Sequence, residues 1–403
     1  MSYNFDKIIN RQNTNALSVE GYKDYLFGGI ETLNLPCDSN DLIKMWVADM
    51  AFETAPEIIE AMKSRIDHGI LGYTMVFDQQ YPTAFLNWTI ARYNWTFDTT
   101  HLRNAQGVIP ALYALIDYIC KPNKKVLIMT PSYAFFKHAA DYNQVDIVYS
   151  DLIYEGGKYT MNFEDIQEKT ADEDVALCIF CNPHNPTGRV WTTEELQRFG
   201  EICLANNVMI ISDEIHCDIL RTHQQFTPLA KLFPDSDQII TCMAPSKTFN
   251  LAGILFANII IPNEGLRKEW KKHHLGIENP LSLTAAQAAY SHGQPWLDAL
   301  TIYLDNNFQF LENFLHLHLP KAVFHIPEAT YLAWIDVRAY FEEGENLTLF
   351  FAEKAGVLLE GGNMFVSNAD GFIRLNLACP KAVLEEGLRR MKAAIDAKNT
   401  SDK

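Results

Sequence analysis

The chain has 403 residues, 48% hydrophobic and 21% charged, a balance that suits a globular protein with two or three lobes rather than one core. Its 33 basic against 50 acidic residues leave a net charge of −17, a field that repels phosphate backbones and argues against nucleic acid as a partner. No apolar run reaches the length of a membrane span, and the opening "MSYNFDKIINRQ" lacks the apolar core of a secretion signal. With eight scattered cysteines, the expected setting is the reducing cytoplasm, away from any membrane.

In chain order, "GVIPALYALIDYI" (107–119) opens on a glycine and a proline that suit a first helical turn, then reads as a helix. Short apolar runs follow: "KVLIM" (125–129), "VDIVY" (145–149), "VALCIFC" (175–181), "VMIIS" (208–212), "QIITCM" (238–243) and "ILFANIII" (254–261). Between two of them, "TEELQRFGEICLANN" (193–207) has helical spacing. Apolar strands separated by helices predict an α/β core with a mostly parallel sheet, where ligands gather beyond the carboxyl ends of the strands. Cys178 and Cys181 form a CxxC pair, but positions three apart on a strand face opposite ways, so both are read as core residues and no metal is expected. After about residue 280, long helices lead to the strands "YLAWIDV" and "GFIRLNL" and a closing helix, "AVLEEGLRRMKAAIDAK". The predicted division is an N-terminal segment 1–45 packing on the small domain, a large α/β domain 46–285 and a smaller α+β domain 286–403.

Four features fall at strand ends. "MTPSYAFF" (129–136) sets Tyr133 just past a strand, and "CNPHNPTG" (181–188) is a turn able to hold the Asn185 amide rigidly. "SDEIHCD" (212–218) places Asp213 at the end of an apolar strand. In "APSKTFNLAG" (244–253), Lys247 stands among small and apolar residues, where desolvation depresses an amine's pKa and makes it a nucleophile. Singly these residues could be making turns, capping a helix or packing; together they converge on one crevice. Pyridoxal phosphate chemistry uses such a set: a lysine for its aldehyde, an acid for its pyridine nitrogen, an amide for its hydroxyl, an aromatic ring to stack and a helix N-terminus for its phosphate.

With these motifs in order, 28 residues from Asn185 to Asp213 and 34 from Asp213 to Lys247, the chain resembles the fold-type-I pyridoxal-phosphate enzymes of the aspartate-aminotransferase-like class. "MWVADMAF" (45–52), "GILGYT" (69–74), "GQPWLDAL" (293–300), "ATYLAWIDVR" (329–338) and "GFIRLNLACP" (371–380) are similar to its C–S β-lyase branch, the cystathionine β-lyase or cysteine-S-conjugate β-lyase group. The resemblance implies that Lys247 carries the cofactor as a Schiff base and removes the substrate α-proton. It pairs Asp213 with the pyridinium, Asn185 with the ring hydroxyl and Tyr133 with the ring face. It also implies that the Ile109 and Ala111 amides and Ser246 face the phosphate, that Tyr73 reaches it from the other subunit of a homodimer, and that Arg374 grips the substrate α-carboxylate. His216 marks the branch, where ordinary aminotransferases carry tyrosine. Three departures stand out: Ala51 replaces an Asp, Ala329 a Gly, and Leu255 the phosphate-binding arginine common in aminotransferases. The implied reaction is α,β-elimination from an L-cysteine S-conjugate, with transamination as the alternative.

Overall fold

The computed structural model describes residues 3–28 and 32–401; residues 1, 2 and 29–31 of the predicted N-terminal segment lie outside the described residues. A seven-stranded sheet forms the centre, and its strands are labelled β1 (Leu102–Ala105), β2 (Lys125–Thr130), β3 (Asp146–Asp151), β4 (Val175–Cys181), β5 (Met209–Asp213), β6 (Ile239–Met243) and β7 (Ala257–Ile260). They lie in the order β1-β7-β6-β5-β4-β2-β3, with β7 antiparallel to both neighbours and the other pairs parallel.

Both faces are covered, which is why the strands read as unbroken apolar runs. Along β4, Leu177, Ile179 and Cys181 enter a cluster with the helix Val108–Ile119, whereas Cys178 and Phe180 enter another with Leu196, Phe199 and Cys203 of the helix Thr193–Ala205. The two CxxC cysteines therefore face opposite ways. The latter helix starts with a capping box: Thr192 Oγ1 accepts from the Glu195 amide (3.1 Å), and Glu195 Oε2 accepts from the Thr192 amide (2.8 Å).

Two local differences from the sequence reading have physical reasons. Strand β1 is short, polar and at the sheet edge, so it shows no apolar pattern. The run 254–261 is strand only from Ala257, because Ala252–Ile254 form a 3₁₀ turn and Leu255 adopts φ 56°.

A second, antiparallel sheet holds β8 (Leu332–Asp336), β9 (Glu360–Gly361) and β10 (Phe372–Asn376) in the order β8-β10-β9. Its cluster includes Leu384, Leu388 and Ile395 of the closing helix Lys381–Ser401. The helix Gln294–His318 joins the two lobes: Trp296, Leu300 and Leu304 pack in the large lobe, Phe308, Leu311 and Leu315 in the small one. Ile43–Lys44 pair in parallel with Val357–Leu358, and Tyr22, Leu26 and Phe27 pack with Ala352 and Leu358. Phe5, by contrast, packs on Phe52 and Trp296. Among the described residues, no helix is long and apolar enough to cross a membrane.

Candidate active site

A cavity of about 290 Å³ opens beyond the carboxyl ends of the parallel strands, lined by Ile109, Tyr133, Asn185, Asp213, His216, Ser246, Lys247 and Arg374. Sequence reasoning missed three further residues here: Tyr25 and Glu360 line it too, and Tyr331 bonds the same Ala48 carbonyl as Lys247. A larger cleft, about 520 Å³, lies between residues 8–12 and the closing helix, but contains neither Lys247 nor Asp213.

Asp213 ends β5, flanked by Cys181 and Cys242 in register. Its carboxylate is buried and accepts from the Ile215 amide (3.1 Å); burial pushes its pKa up to about 7. Lys247 sits in the turn Pro245–Thr248 just after β6. Burial first, and Arg374 second, push its amine down to about 8, and Nζ donates to the Ala48 carbonyl (2.8 Å). The rest of the motif fixes that turn. Asp218 accepts from Thr248 Oγ1 (2.8 Å) and Trp88 Nε1 (3.0 Å), while Asn250 accepts from the Met50 amide (2.9 Å) and donates to the Phe52 carbonyl (2.9 Å). The lysine and the segment bearing its carbonyl partner are thereby tied together.

Arg374, fully buried on β10, donates from Nη1 to Asn185 Oδ1 (2.9 Å) and pairs through Nη2 with Glu360 Oε2, the residue directly across the strand. Asn185 lines the cavity, and with its oxygen taken by Arg374 it has its amide nitrogen to offer as a donor. His216 is buried with no hydrogen-bond partner at Nδ1, and burial pushes it down to about 3, so it is neutral. Tyr133 is held by strand pairing with Phe365.

Pyridoxal phosphate fits these residues. A carboxylate buried with one hydrogen bond calls for a cation, which a pyridinium would supply at Asp213. The amides of Val108 and Ile109 head a twelve-residue helix, where they precede the helical ladder and suit a phosphate. A side chain at Gly107 would crowd Pro110 Cδ (3.2 Å) beside that position. The expectation for Ala111 is corrected: its amide donates to the Gly107 carbonyl (3.3 Å), so it is spent inside the helix and does not line the cavity. Tyr73 also lies outside the cavity, 94% exposed on a surface loop. Leu255 lines the cavity mouth and brings no charge to the phosphate end.

Fold and site together define a fold-type-I pyridoxal-phosphate enzyme of the aminotransferase-like class. Residues 40–391 match the family described as aminotransferase class I and II, and the chain belongs to it. It is 39% identical to cystathionine beta-lyase PatB of Bacillus subtilis (strain 168) over 397 residues, 97% of this chain and 100% of that protein. A PLP-bound C–S lyase from Staphylococcus hominis, complexed with the inhibitor L-cycloserine, is similar at 51% identity and a TM-score of 0.95 over 98% of each chain. Cystalysin from Treponema denticola, which contains pyridoxal 5′-phosphate, is similar at 32% identity and a TM-score of 0.92, over 98% of this chain and 100% of that one.

Proposed function

We propose that this chain is a pyridoxal-phosphate-dependent C–S β-lyase. It cleaves L-cystathionine or another L-cysteine S-conjugate, with one water consumed, to a thiol, pyruvate and ammonia. The observation that carries this reading is similarity over the whole chain to a named cystathionine β-lyase.

When bound, the cofactor supplies an electron-withdrawing ring that accepts the charge left on the substrate Cα. Lys247 holds the cofactor aldehyde at rest; once freed, its amine takes the α-proton, a task suited to an amine whose pKa is lowered to about 8. Asp213 keeps the ring nitrogen protonated, Asn185 donates to the ring oxygen and Tyr133 covers the ring face. The Val108 and Ile109 amides, with Ser246, hold the phosphate. Arg374 orients the substrate through its α-carboxylate.

The active unit is a homodimer. Ile70, Leu71, Tyr73, Phe77 and Leu275 are large apolar side chains left exposed, and the loop carrying the first four is tied to the segment of Leu275 by the Glu278 amide, which donates to the Thr74 carbonyl (2.8 Å). Leu255 is both exposed and part of the cavity lining, so the cavity reaches the surface there, where the partner's loop would bring its own phosphate-binding tyrosine. Eight free cysteines suit the reducing cytoplasm.

Incubation with cystathionine and no keto acid tests the chemistry. Continuous pyruvate release is expected, whereas a single stoichiometric conversion of the cofactor without pyruvate would assign transamination instead.

A further inference from the structure

Glu360 and Arg374 face each other directly across antiparallel strands β9 and β10, and both are buried in the cavity wall. Arg374 Nη1 serves Asn185, while Nη2 contacts both Glu360 Oε2 and the Trp46 carbonyl (3.3 Å); Nε is buried with no partner. A guanidinium offers a carboxylate two double-donor edges, Nη1/Nη2 and Nε/Nη2. Each edge needs a hydrogen on Nη2. Both hydrogens of that nitrogen are engaged, so neither edge is open.

We infer that Glu360 is a positioning residue that occupies the carboxylate site of Arg374 in the resting protein and must yield Nη2 before a substrate carboxylate can dock. The inference rests on the reading of Arg374 as the substrate anchor. The arrangement has a physical reason. An arginine in a closed pocket without an anion carries a large desolvation cost, and Glu360 offsets it until substrate arrives.

Once displaced, Glu360 is a buried carboxylate without its arginine. The groups facing it are Arg374, Lys247, Tyr25 and Tyr133. Of these, Lys247 is the one cation besides the arginine, and its amine is tied up when it holds the cofactor. Glu360 therefore takes up a proton as the ligand binds, and ligand affinity weakens as pH rises. A ligand with a weak or absent carboxylate does not displace it, so the pair also acts as a filter for α-carboxylates.

The test uses the holoenzyme and 3-(methylthio)propionate, the deamino counterpart of S-methylcysteine. This probe cannot react with the cofactor, so its binding is independent of C–S cleavage. Isothermal titration in buffers of different ionisation enthalpy should show wild type taking up roughly one proton per ligand. Glu360→Gln keeps a hydrogen-bond acceptor but loses the charge; it should bind the probe about tenfold more tightly at pH 8, with almost no proton uptake. Binding by the variant alone would have the same meaning. Unchanged or weaker binding by Glu360→Gln, wild-type binding without proton uptake, or no binding to either protein would overturn the inference. If the variant does not fold, the wild-type proton count decides by itself. Failure of the lyase reading would appear differently, as absence of pyruvate with the proton count intact.

Discussion

The site holds two buried carboxylates in two different sheets, and their surroundings differ. Asp213 ends a parallel strand beside two cysteines, and the cation acting on it is Lys247. Glu360 sits on an antiparallel strand opposite a guanidinium that neutralises it. Burial raises both pKa values, and Arg374 pulls that of Glu360 back toward its ordinary value. The large lobe thus presents an uncompensated carboxylate that a cationic ring can complete. The small lobe presents a self-compensated ion pair, which on the inference above a substrate carboxylate reopens. On the reading proposed above, one half retains a cofactor and the other admits and releases a ligand.

Removing the lysine breaks the first half outright. Lys247→Ala should lower pyruvate formation by about 10³-fold or more. Borohydride should then leave no cofactor fixed to the chain. Activity within tenfold of wild type would move the α-proton chemistry to another group.

Asp213→Asn isolates the uncompensated charge. In the folded chain the Asp213 pKa is about 7 against an ordinary 3.8. A carboxyl raised in this way contributes its full stability at low pH, and that contribution is lost as pH rises from about 4 through about 7. Without cofactor, the variant should therefore be more stable than wild type at pH 8, by on the order of 4 kcal/mol at most. The difference should shrink toward pH 4, and cofactor should reverse the order, because only wild type then gains a paired cation. Urea unfolding at the two pH values, with and without cofactor, reads this directly. Equal stabilities at pH 8 would mean that water reaches the carboxylate.

The same contrast explains how much of the site could be read from the sequence. Lys247, Asp213 and Asn185 each sit in a local run where strand, turn and reactive residue are adjacent, so a few residues of text carry the geometry. Most sheet strands were legible for the same reason, as apolar runs bounded by turns. Glu360 could not be read this way, because its meaning depends on facing Arg374 across a strand pair, and cross-strand register is not written in either segment. Its one sequence trace is a lone charge in the apolar run "VLLEGG". Tyr25 reaches the cavity from the N-terminal segment, and no periodicity foretells that. Ala111 lies three residues past Val108, the amide that takes its place, since a helix frees only the amides ahead of its first closed turn.

Gly188 tests the joint between the halves. It adopts φ 71°, and a Cβ there would fall 2.3 Å from Pro327 Cβ. Its carbonyl accepts from the Ala329 amide (3.0 Å), and the neighbouring Arg189 grips both Glu328 and Glu195. The turn carrying Asn185 is thus pinned to the chain entering the small lobe. Gly188→Ala should cost about 2–4 kcal/mol of unfolding free energy, from left-handed strain plus overpacking. A loss under about 0.5 kcal/mol in urea titration would show that this joint yields freely.

Arg374→Lys probes the second half with the smallest change. Lysine keeps the charge and can still meet Glu360, but it offers a point charge where the guanidinium offers a planar fork. The Asn185 contact and the two-pronged grip on a carboxylate cannot both survive. KM for an S-conjugate should rise about 10–30-fold, with kcat changed only a few-fold, because Lys247 and Asp213 remain in place. A fall in kcat as large as the rise in KM would instead show that the arginine holds Asn185 and the cofactor ring in register. In that case the two halves would work as one unit, and the contrast between cofactor retention and ligand admission would not hold.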